Sequence, residues 1–278
     1  MRLLFLTSLT MIAFAANSVL TRTALESDDI GALSFASIRI SVGALVLLVL
    51  ISARRDVHLI GKAFDPAAAL GLLVYMLGFS VSYINLEAGI GALILFGGVQ
   101  ITMFLGAVLS DKKPLFFEWL GAAVAFSGII ILLLPSGGAP SLVGIVCMIF
   151  AAVGWGVYSM RGAKAQSPLA ATCANFSAAL PVVALAWLLM DMGRVGSKGA
   201  LLALISGGVT SALGYALWYL VLPKLQTATA AVAQLTVPVI AASGGVIFLS
   251  EPLTVIFSVS SALVLGGVGI SVWAISRS

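Results

Sequence analysis

Long apolar segments recur along almost the whole chain, separated only by short polar connections. A helix that crosses a bilayer needs about 20 mostly apolar residues, and roughly ten such segments fit into the 278 residues. Charged residues make up 9% of the chain, whereas an ordinary soluble domain carries about 25%. The sequence therefore predicts an all-α membrane protein with ten transmembrane helices, and it excludes a water-soluble globule.

The predicted spans are Leu3–Thr21, Ala32–Ser52, Ala67–Leu86, Ile90–Leu109, Phe116–Leu134, Leu142–Met160, Leu169–Met190, Ala200–Tyr219, Thr227–Leu249 and Leu253–Ile275. Arg2 and the apolar run after it also fit a cleaved secretory signal. Its removal would leave nine helices and break the repeat described next. No connection reaches 20 residues, which leaves no room for an appended catalytic or nucleic-acid-binding domain.

Residue patterns repeat at a spacing of roughly 140 positions. The triplet of leucine, glycine and aromatic residue that ends at Phe79 recurs at Tyr215, and the serine and acid that end at Asp111 recur at Glu251. The two lysines that follow Asp111 have no counterpart after Glu251, as expected when matching loops face opposite sides of the bilayer. The repeat therefore predicts two inverted halves of five helices each.

The halves are residues 1–138 and 139–278. Alternate connections carry ten and three lysine or arginine residues, with Arg39 inside a span. Because positive charge accumulates on the cytoplasmic side, both termini are predicted to be cytoplasmic. Inverted repeats place a substrate path near the midplane and permit alternating access.

Several residues stand at characteristic positions along the two halves. They are Arg39, Trp119, Gly121, Gly128, Trp155, Gly156, Pro238 and Glu251. Their order and spacing resemble the drug/metabolite transporter superfamily in its ten-helix EamA type, over essentially the whole chain. The chain departs from that pattern at Gly98, where a proline is expected, and at Asp111, where a glutamate is usual.

More specifically, the chain looks like bacterial aromatic amino acid exporters of the YddG type. We therefore expect a monomer in the bacterial inner membrane that moves a small-molecule substrate without a cofactor. The net charge of +4 does not indicate nucleic acid, because the basic residues lie between spans and fix orientation.

No catalytic constellation or metal-ligand spacing is visible, and the only histidine, His58, lies in a predicted loop. An enzyme is therefore not expected. Proton-driven exporters commonly use a carboxylate within the membrane, but all ten acids of this chain fall in loops or at helix ends. Facilitated exchange is the expected mechanism, with an intramembrane enzyme and a receptor-like or structural protein as the alternatives.

Arg39 lies about seven positions into its span, where an unpaired charge costs about 2.5–3.5 kcal/mol. Its stem can reach toward headgroups or cap backbone carbonyls, or its guanidinium can clamp a substrate carboxylate. The counterpart in the second half is Asn175, so a symmetric charge pair is excluded.

Amide and aromatic side chains supply the other candidates for the substrate path. The amides favour interior positions because lipid offers no hydrogen-bond partner, and the resemblance places helices one, four and nine beside the path. The aromatics at four-residue spacing share a helix face, although packing and interface anchoring explain them equally. The full candidate list is Asn17, Arg39, Phe79, Tyr83, Gln100, Trp155, Tyr158, Tyr215, Trp218, Tyr219 and Gln234.

Aromatic or other large neutral amino acids are the predicted substrates. Aromatic side chains can stack on a ring and hydrogen-bond its polar end, and the resemblance implies the same substrate class. Sugar phosphates would require several inward-facing cations, and only Arg39 is available. A broad exporter of amphipathic metabolites or drugs, coupled to an ion gradient, is the alternative.

Overall fold

The computed structural model describes residues 2–109, 115–133, 141–189, 193–221, 224–225 and 233–277. In these ranges the chain is helical, and its one β-bridge joins Ile30 to Val195. The α-helices are α1 (Arg2–Glu26), α2 (Ala32–Ala53), α3 (Pro66–Ser82), α4 (Ala88–Leu109), α5 (Phe116–Leu133), α6 (Leu142–Gly162), α7 (Pro168–Leu189), α8 (Ser197–Ile205), α9 (Gly214–Val221), α10 (Thr236–Leu249) and α11 (Val255–Arg277). A π-helical segment, Ser206–Leu213, joins α8 to α9.

Seven helical segments of the described chain are long and apolar enough to cross a bilayer, counting α8 to α9 as one. Helix α3 reaches the required length only together with the 3₁₀ turns of residues 57–63, from which it bends by 92°. Helices α5 and α10 are shorter apolar helices. The all-helical membrane architecture is thus confirmed, while the number of ten spans and their inverted arrangement stay predictions.

Helix α1 continues to Glu26, beyond the predicted end at Thr21. Arg22 Nη1 donates hydrogen bonds to the carbonyl oxygens of Tyr83 (3.2 Å) and Ile84 (2.9 Å). Because this polar side chain finds partners on the protein, the helix can continue past the apolar run that the prediction followed.

Helix α3 is shorter than predicted, because it ends at Ser82 rather than at Leu86. The chain turns there, with hydrogen bonds from the Ile84 amide to the Val81 carbonyl (3.3 Å) and from the Leu86 amide to the Ser82 carbonyl (3.0 Å). The predicted ninth span begins at Thr227, but residues 226–232 lie outside the described ranges. In the described part, residues 233–234 are helical and α10 follows from Thr236.

Local signals explain where α3 begins. Asp65 is its N-cap, and the carboxylate accepts hydrogen bonds from the amides of Ala67 (3.0 Å) and Ala68 (3.1 Å). Pro66 occupies the first helical position, where its missing N–H costs nothing. The helix is therefore fixed at this end by its own sequence.

Glycines bring two pairs of helices into backbone contact, α3 with α6 and α5 with α11. A Cβ added to Gly154 would lie 2.5 Å from the carbonyl oxygen of Gly71, and one added to Gly267 would lie 2.5 Å from that of Gly121. Lipid tails are as apolar as leucine, so close van der Waals packing holds such pairs together.

We expect Gly154→Ala to destabilise the fold by about 1–3 kcal/mol, because the added methyl group forces α3 and α6 apart. Gly266→Ala is the matched control, since a Cβ there meets nothing within 4 Å. The melting temperatures of both variants are measured by heating the protein in detergent and recording the remaining folded protein by fluorescence-detected size-exclusion chromatography. Equal melting temperatures for the two variants would contradict close packing at Gly154.

The described connections gather at two ends of the helix bundle. At one end the Asp29 carboxylate accepts from the Gly199 amide, and the Asp29 carbonyl accepts from the Gly196 amide, both at 2.6 Å. At the other end Arg161 pairs with Asp65 at 2.8 Å. We call these the Asp29 end and the Asp65 end. The charge pattern predicts that the Asp65 end is cytoplasmic.

Candidate substrate site

Arg39 lies at the centre of the bundle and is 0% exposed. Its Nε donates to Ser211 Oγ (2.9 Å), and its Nη2 donates to the Tyr75 hydroxyl (3.0 Å). The guanidinium carbon lies 4.8 Å from the ring centre of Phe79 and 5.5 Å from that of Tyr75, within cation–π range. Arg39 therefore joins α2 to α3 and to the π-helical segment.

No carboxylate of the described residues lies within 4 Å of Arg39. Its Nη1 makes no hydrogen bond to the described residues. The reading in which the stem reaches toward headgroups is wrong, because the side chain is enclosed by protein on α2, α3 and the π-helical segment. The centre of the protein thus holds one buried cation with a donor still unused.

Asn17 of α1 holds the π-helical segment. Its Oδ1 accepts hydrogen bonds from Ser206 (2.8 Å), Thr210 and Ser211 (3.4 Å). Ser211 also accepts from Arg39, so it relays between the amide and the cation. A π segment widens one turn of a helix and is frequent at functional sites; here it turns three hydroxyls toward one acceptor.

Aromatic rings surround this polar centre. Phe14 meets Trp155, Tyr215 and Trp218 edge to face, with ring centres 5.8–6.2 Å apart. Trp155 lies 4.8 Å from Tyr75 and 5.1 Å from Tyr215. These distances suit mutually favourable ring contacts. We call the five residues Phe14, Tyr75, Trp155, Tyr215 and Trp218 the aromatic cluster.

A narrow cavity of about 10 Å³ lies between the aromatic cluster and α4. Asn17, Phe79 and Phe96 also line it. This volume is near the minimum for a single water molecule, so an amino acid does not fit. The structure therefore represents an arrangement in which the central site is closed around itself.

The structure brings most of the predicted candidates together. Those joined around the centre are Asn17, Arg39, Phe79, Trp155, Tyr158, Tyr215 and Trp218. The Tyr83 ring meets the Phe79 ring edge to face, with ring centres 4.7 Å apart. The Tyr83 hydroxyl donates to the Ala88 carbonyl (3.3 Å), toward the Asp29 end.

The remaining candidates lie elsewhere. Gln100 is half-buried on α4, one turn beyond the cavity residue Phe96, and Gln234 is half-buried just before α10. Tyr219 belongs to α9, but its side chain lies outside the described part of the structure.

The predicted candidates did not include five residues of the centre: Phe14, Tyr75, Ser206, Thr210 and Ser211. Phe14 lies three positions before Asn17, on the same face of α1. The prediction of Asn17 could therefore have included Phe14. Tyr75 continues the Phe79 and Tyr83 spacing by one more turn. The three hydroxyls carried no sequence signal, because a regular helix does not present all three together.

The Asp29 end is closed by a network around Glu251. Both carboxylate oxygens of Glu251 accept from the Ala88 amide at 2.9 Å, and Arg22 lies 3.6 Å away. Arg22 also pairs with Glu26 at 3.6 Å. Glu251 is 9% exposed and Glu26 is 46% exposed, so water screens the second pair much more.

Burial raises the pKa of Glu251, and the nearby Glu87 and Glu26 carboxylates raise it further, while the Ala88 amide and Arg22 lower it. If the end opens and the carboxyl meets water, its pKa falls back toward the ordinary range. The closed arrangement then binds the proton more tightly than the open one. Protonation of Glu251 therefore favours closure, and mild acid does not open this end.

We expect Glu251→Ala to raise several-fold the rate at which a cysteine at Ser18, beside the central cavity, reacts with an impermeant thiol reagent. Glu251→Gln keeps an acceptor for the Ala88 amide and leaves the rate nearly unchanged. Glu26→Ala is the control, because its pair with Arg22 is exposed. Cys147 and Cys173 are first replaced by alanine. A rate equal in all variants would show that Glu251 does not hold the end closed.

The Asp65 end is open by comparison. A cavity of about 530 Å³ lies there between the connection before α3 and the connection from α6 to α7. Asn175 of α7 lies on its lining. The helical bundle thus combines one sealed end, a closed polar and aromatic centre, and one open vestibule. Together these define the class of protein, a multi-pass membrane transporter for small solutes.

Comparison with known sequences also indicates a membrane transporter. The EamA-like transporter family matches residues 142–273. An uncharacterized protein of Pseudomonas aeruginosa, PA1977, is 41% identical over 275 residues, which cover 97% of this chain and 94% of that protein. The chain belongs to the EamA-like transporter family and is a multi-pass inner membrane protein.

Two relatives with named functions are more distant. A threonine/homoserine exporter, RhtA, of Salmonella typhimurium is 27% identical over 81% of this chain and 76% of its own. A probable amino-acid metabolite efflux pump of Escherichia coli is 24% identical over 69% of each chain. A solved crystal structure matches 95% of this chain and 98% of its own with a TM-score of 0.62 at 18% identity, which shows a shared fold.

Proposed function

We propose that the protein exports neutral amino acids from the cytoplasm, with a preference for aromatic ones. The observation that carries the proposal is Arg39: a buried cation without a carboxylate partner in the described chain and with a free Nη1. A planar guanidinium recognises a carboxylate through paired hydrogen bonds. The aromatic cluster beside it supplies ring contacts for an apolar side chain.

The closed cavity has to widen before substrate enters. The α-carboxylate then takes the unused donor of Arg39, while the substrate side chain separates Trp155 from Tyr215. A buried ion pair of this kind also offsets the cost of the cation in the low-dielectric interior. The contact between Arg39 and the substrate carboxylate therefore forms only in the widened arrangement. The closed arrangement described above does not bind substrate.

The pairing of helices supports alternating access by two related halves. If each helix of the first half matches the one five spans later, the most extensive helix pairs have partner pairs. The pair α3 and α6 then matches α1 with α8 to α9, and α4 with α6 matches α10 with α1. The pairs α2 with α7, α4 with α10 and α5 with α11 match themselves. Rocking one half against the other exchanges the open end.

Exchange without a proton cycle fits the acids of this chain. Within the described ranges every aspartate and glutamate lies in a connection or in the first or last turn of a helix. A carboxylate that binds substrate and proton in turn would lie inside the membrane. The driving force we propose is the substrate's own gradient.

A second candidate is export of small hydroxyl-bearing amino acids. The likeness to the threonine/homoserine exporter favours it. The same Arg39 would hold the carboxylate, and the Asn17 and Ser211 pair would meet the substrate hydroxyl in place of a ring contact.

Uptake into proteoliposomes distinguishes the two candidates. Radiolabelled phenylalanine, tryptophan, alanine and threonine are compared with the parent protein, Tyr215→Ala and Trp155→Ala. Aromatic preference predicts faster uptake of phenylalanine and tryptophan, and a lower aromatic-to-alanine ratio in both variants. If alanine and threonine are taken up as fast as phenylalanine and tryptophan, and neither variant changes the aromatic-to-alanine ratio, the aromatic preference is wrong.

A further inference from the structure

The cavity at the Asp65 end carries more positive charge than a passive entrance requires. Lys62, Arg161 and Lys164 line it, and Asp65 is its only carboxylate. Arg161 Nε lies 2.8 Å from Asp65 Oδ2, and its Nη2 donates to Asp65 Oδ1 at 3.2 Å. These two charges cancel in a bidentate pair.

Asp65 stays ionised in this arrangement. Desolvation raises the pKa of its carboxyl, but the hydrogen bonds from Arg161, Ala68 and Ala67 outweigh that effect and hold the pKa below its ordinary value. Lys62 and Lys164 have no carboxylate of the described residues within 4 Å. The cavity therefore keeps two ammonium groups free for an anion.

Asn175 gives the cavity a polar floor. The side chain is 2% exposed, lines the cavity, and its Oδ1 accepts no hydrogen bond from the described residues. A buried acceptor without a donor costs about 1–3 kcal/mol. A ligand that carries an N–H or O–H donor removes this cost.

The floor also adjoins the central site. Thr172 lies three positions before Asn175 on α7 and accepts from the Tyr158 hydroxyl at 3.0 Å. Tyr158 in turn lies 5.4 Å from Trp155 of the aromatic cluster. The Tyr158 and Thr172 pair therefore stands between the open cavity and the closed centre.

We propose that this cavity is a second, low-affinity binding site, which captures a small carboxylate that also carries a hydrogen-bond donor, as an amino acid does. Lys62 and Lys164 attract the carboxylate, and Asn175 Oδ1 accepts from the donor. The volume of about 530 Å³ exceeds that of a single amino acid, so the solute keeps water and binds loosely. The proposal rests on the proposed function and assigns its entry step.

Kinetics from the Asp65 side test the lysines. In liposomes of phosphatidylcholine alone, the double variant Lys62→Gln with Lys164→Gln should raise the KM for phenylalanine about three- to tenfold at low salt and leave the maximal rate unchanged. The effect should shrink at high salt, because these charges are solvent-exposed. Asn175→Leu should raise KM at either ionic strength.

Lys198→Gln is the matched control, since it removes an exposed lysine at the Asp29 end. An unchanged KM in the lysine double variant, or an equal rise in Lys198→Gln, overturns the proposal. So does a rise that appears only with anionic lipid, because the lysines would then bind headgroup phosphate.

Thiol protection separates this site from transport itself. In a chain without Cys147 and Cys173, a cysteine at Gln166, an exposed residue of the cavity, is labelled in the presence of phenylalanine or of phenethylamine, which lacks the carboxylate. Labelling that is slowed by phenylalanine but not by phenethylamine supports the capture site, even if no amino acid is transported. Transport without any such protection overturns the capture site and leaves the proposed function standing.

Discussion

Arg39→Met is expected to lower amino acid transport by about 10- to 100-fold while the protein stays folded. A hydrogen bond from a charged group is worth about 1.5–3 kcal/mol, and each 1.4 kcal/mol is a tenfold change. The loss therefore corresponds to one arginine–carboxylate contact. Uptake of labelled phenylalanine by variant and parent proteoliposomes measures it.

The fold should tolerate this change because Arg39 is costly where it stands. The cation is 0% exposed and lacks a carboxylate within the described chain, so its replacement by an apolar residue of similar length removes the desolvation cost of an unpaired charge. Ser211 keeps its hydrogen bond to Asn17. We expect a melting temperature equal to or above that of the parent.

Arg39→Lys is the control for charge alone. Lysine keeps the cation but cannot donate from a planar fork, so intermediate transport is expected. An Arg39→Met protein that unfolds would show that Arg39 is a structural residue. One that transports normally would remove Arg39 from the substrate site.

Asn17→Leu is expected to destabilise the protein by about 2–4 kcal/mol. Ser206 and Ser211 lose their shared acceptor, and each buried hydroxyl donor left without an acceptor costs about 1–3 kcal/mol. Thr210 is less affected, because it also donates to the Ser206 carbonyl at 3.1 Å. Thermal unfolding in detergent gives the difference.

Asn17→Asp is the matched control. A carboxylate accepts from the same hydroxyls, and its charge lies across Ser211 from Arg39, so stability should equal or exceed that of the parent. If Asn17→Leu and Asn17→Asp melt at the same temperature, Asn17 does not hold the π-helical segment.

The sequence was sufficient for the membrane class because apolar length is a strong signal. Segments of about 20 apolar residues have no other stable environment, and long helices such as α2 and α6 lie almost where the pattern placed them. The predicted helix ends were wrong where contacts of polar residues determine them. Arg22 extends α1 through contacts with a distant loop, which hydropathy does not contain.

The central site was predictable in its residue types and less so in its geometry. Arg39 was predicted because it is a charged residue inside an apolar span. Asn17 was predicted because a buried amide needs hydrogen-bond partners, and Trp155 because aromatic rings can line a substrate path. The π-helical segment was not predictable, because glycine, serine and threonine fit a regular helix equally well. Without it, the hydroxyls of Thr210 and Ser211 do not meet Asn17, and the relay to Arg39 cannot be inferred.

Counterflow in proteoliposomes tests the central claim, that this protein exchanges amino acids without a proton cycle. Vesicles loaded with unlabelled phenylalanine are diluted into labelled phenylalanine at equal pH inside and outside, with an ionophore to remove any proton gradient. The proposal predicts transient accumulation of label with the parent protein and little with Arg39→Met. Accumulation that appears only when a proton gradient is imposed, or none under either condition, contradicts it.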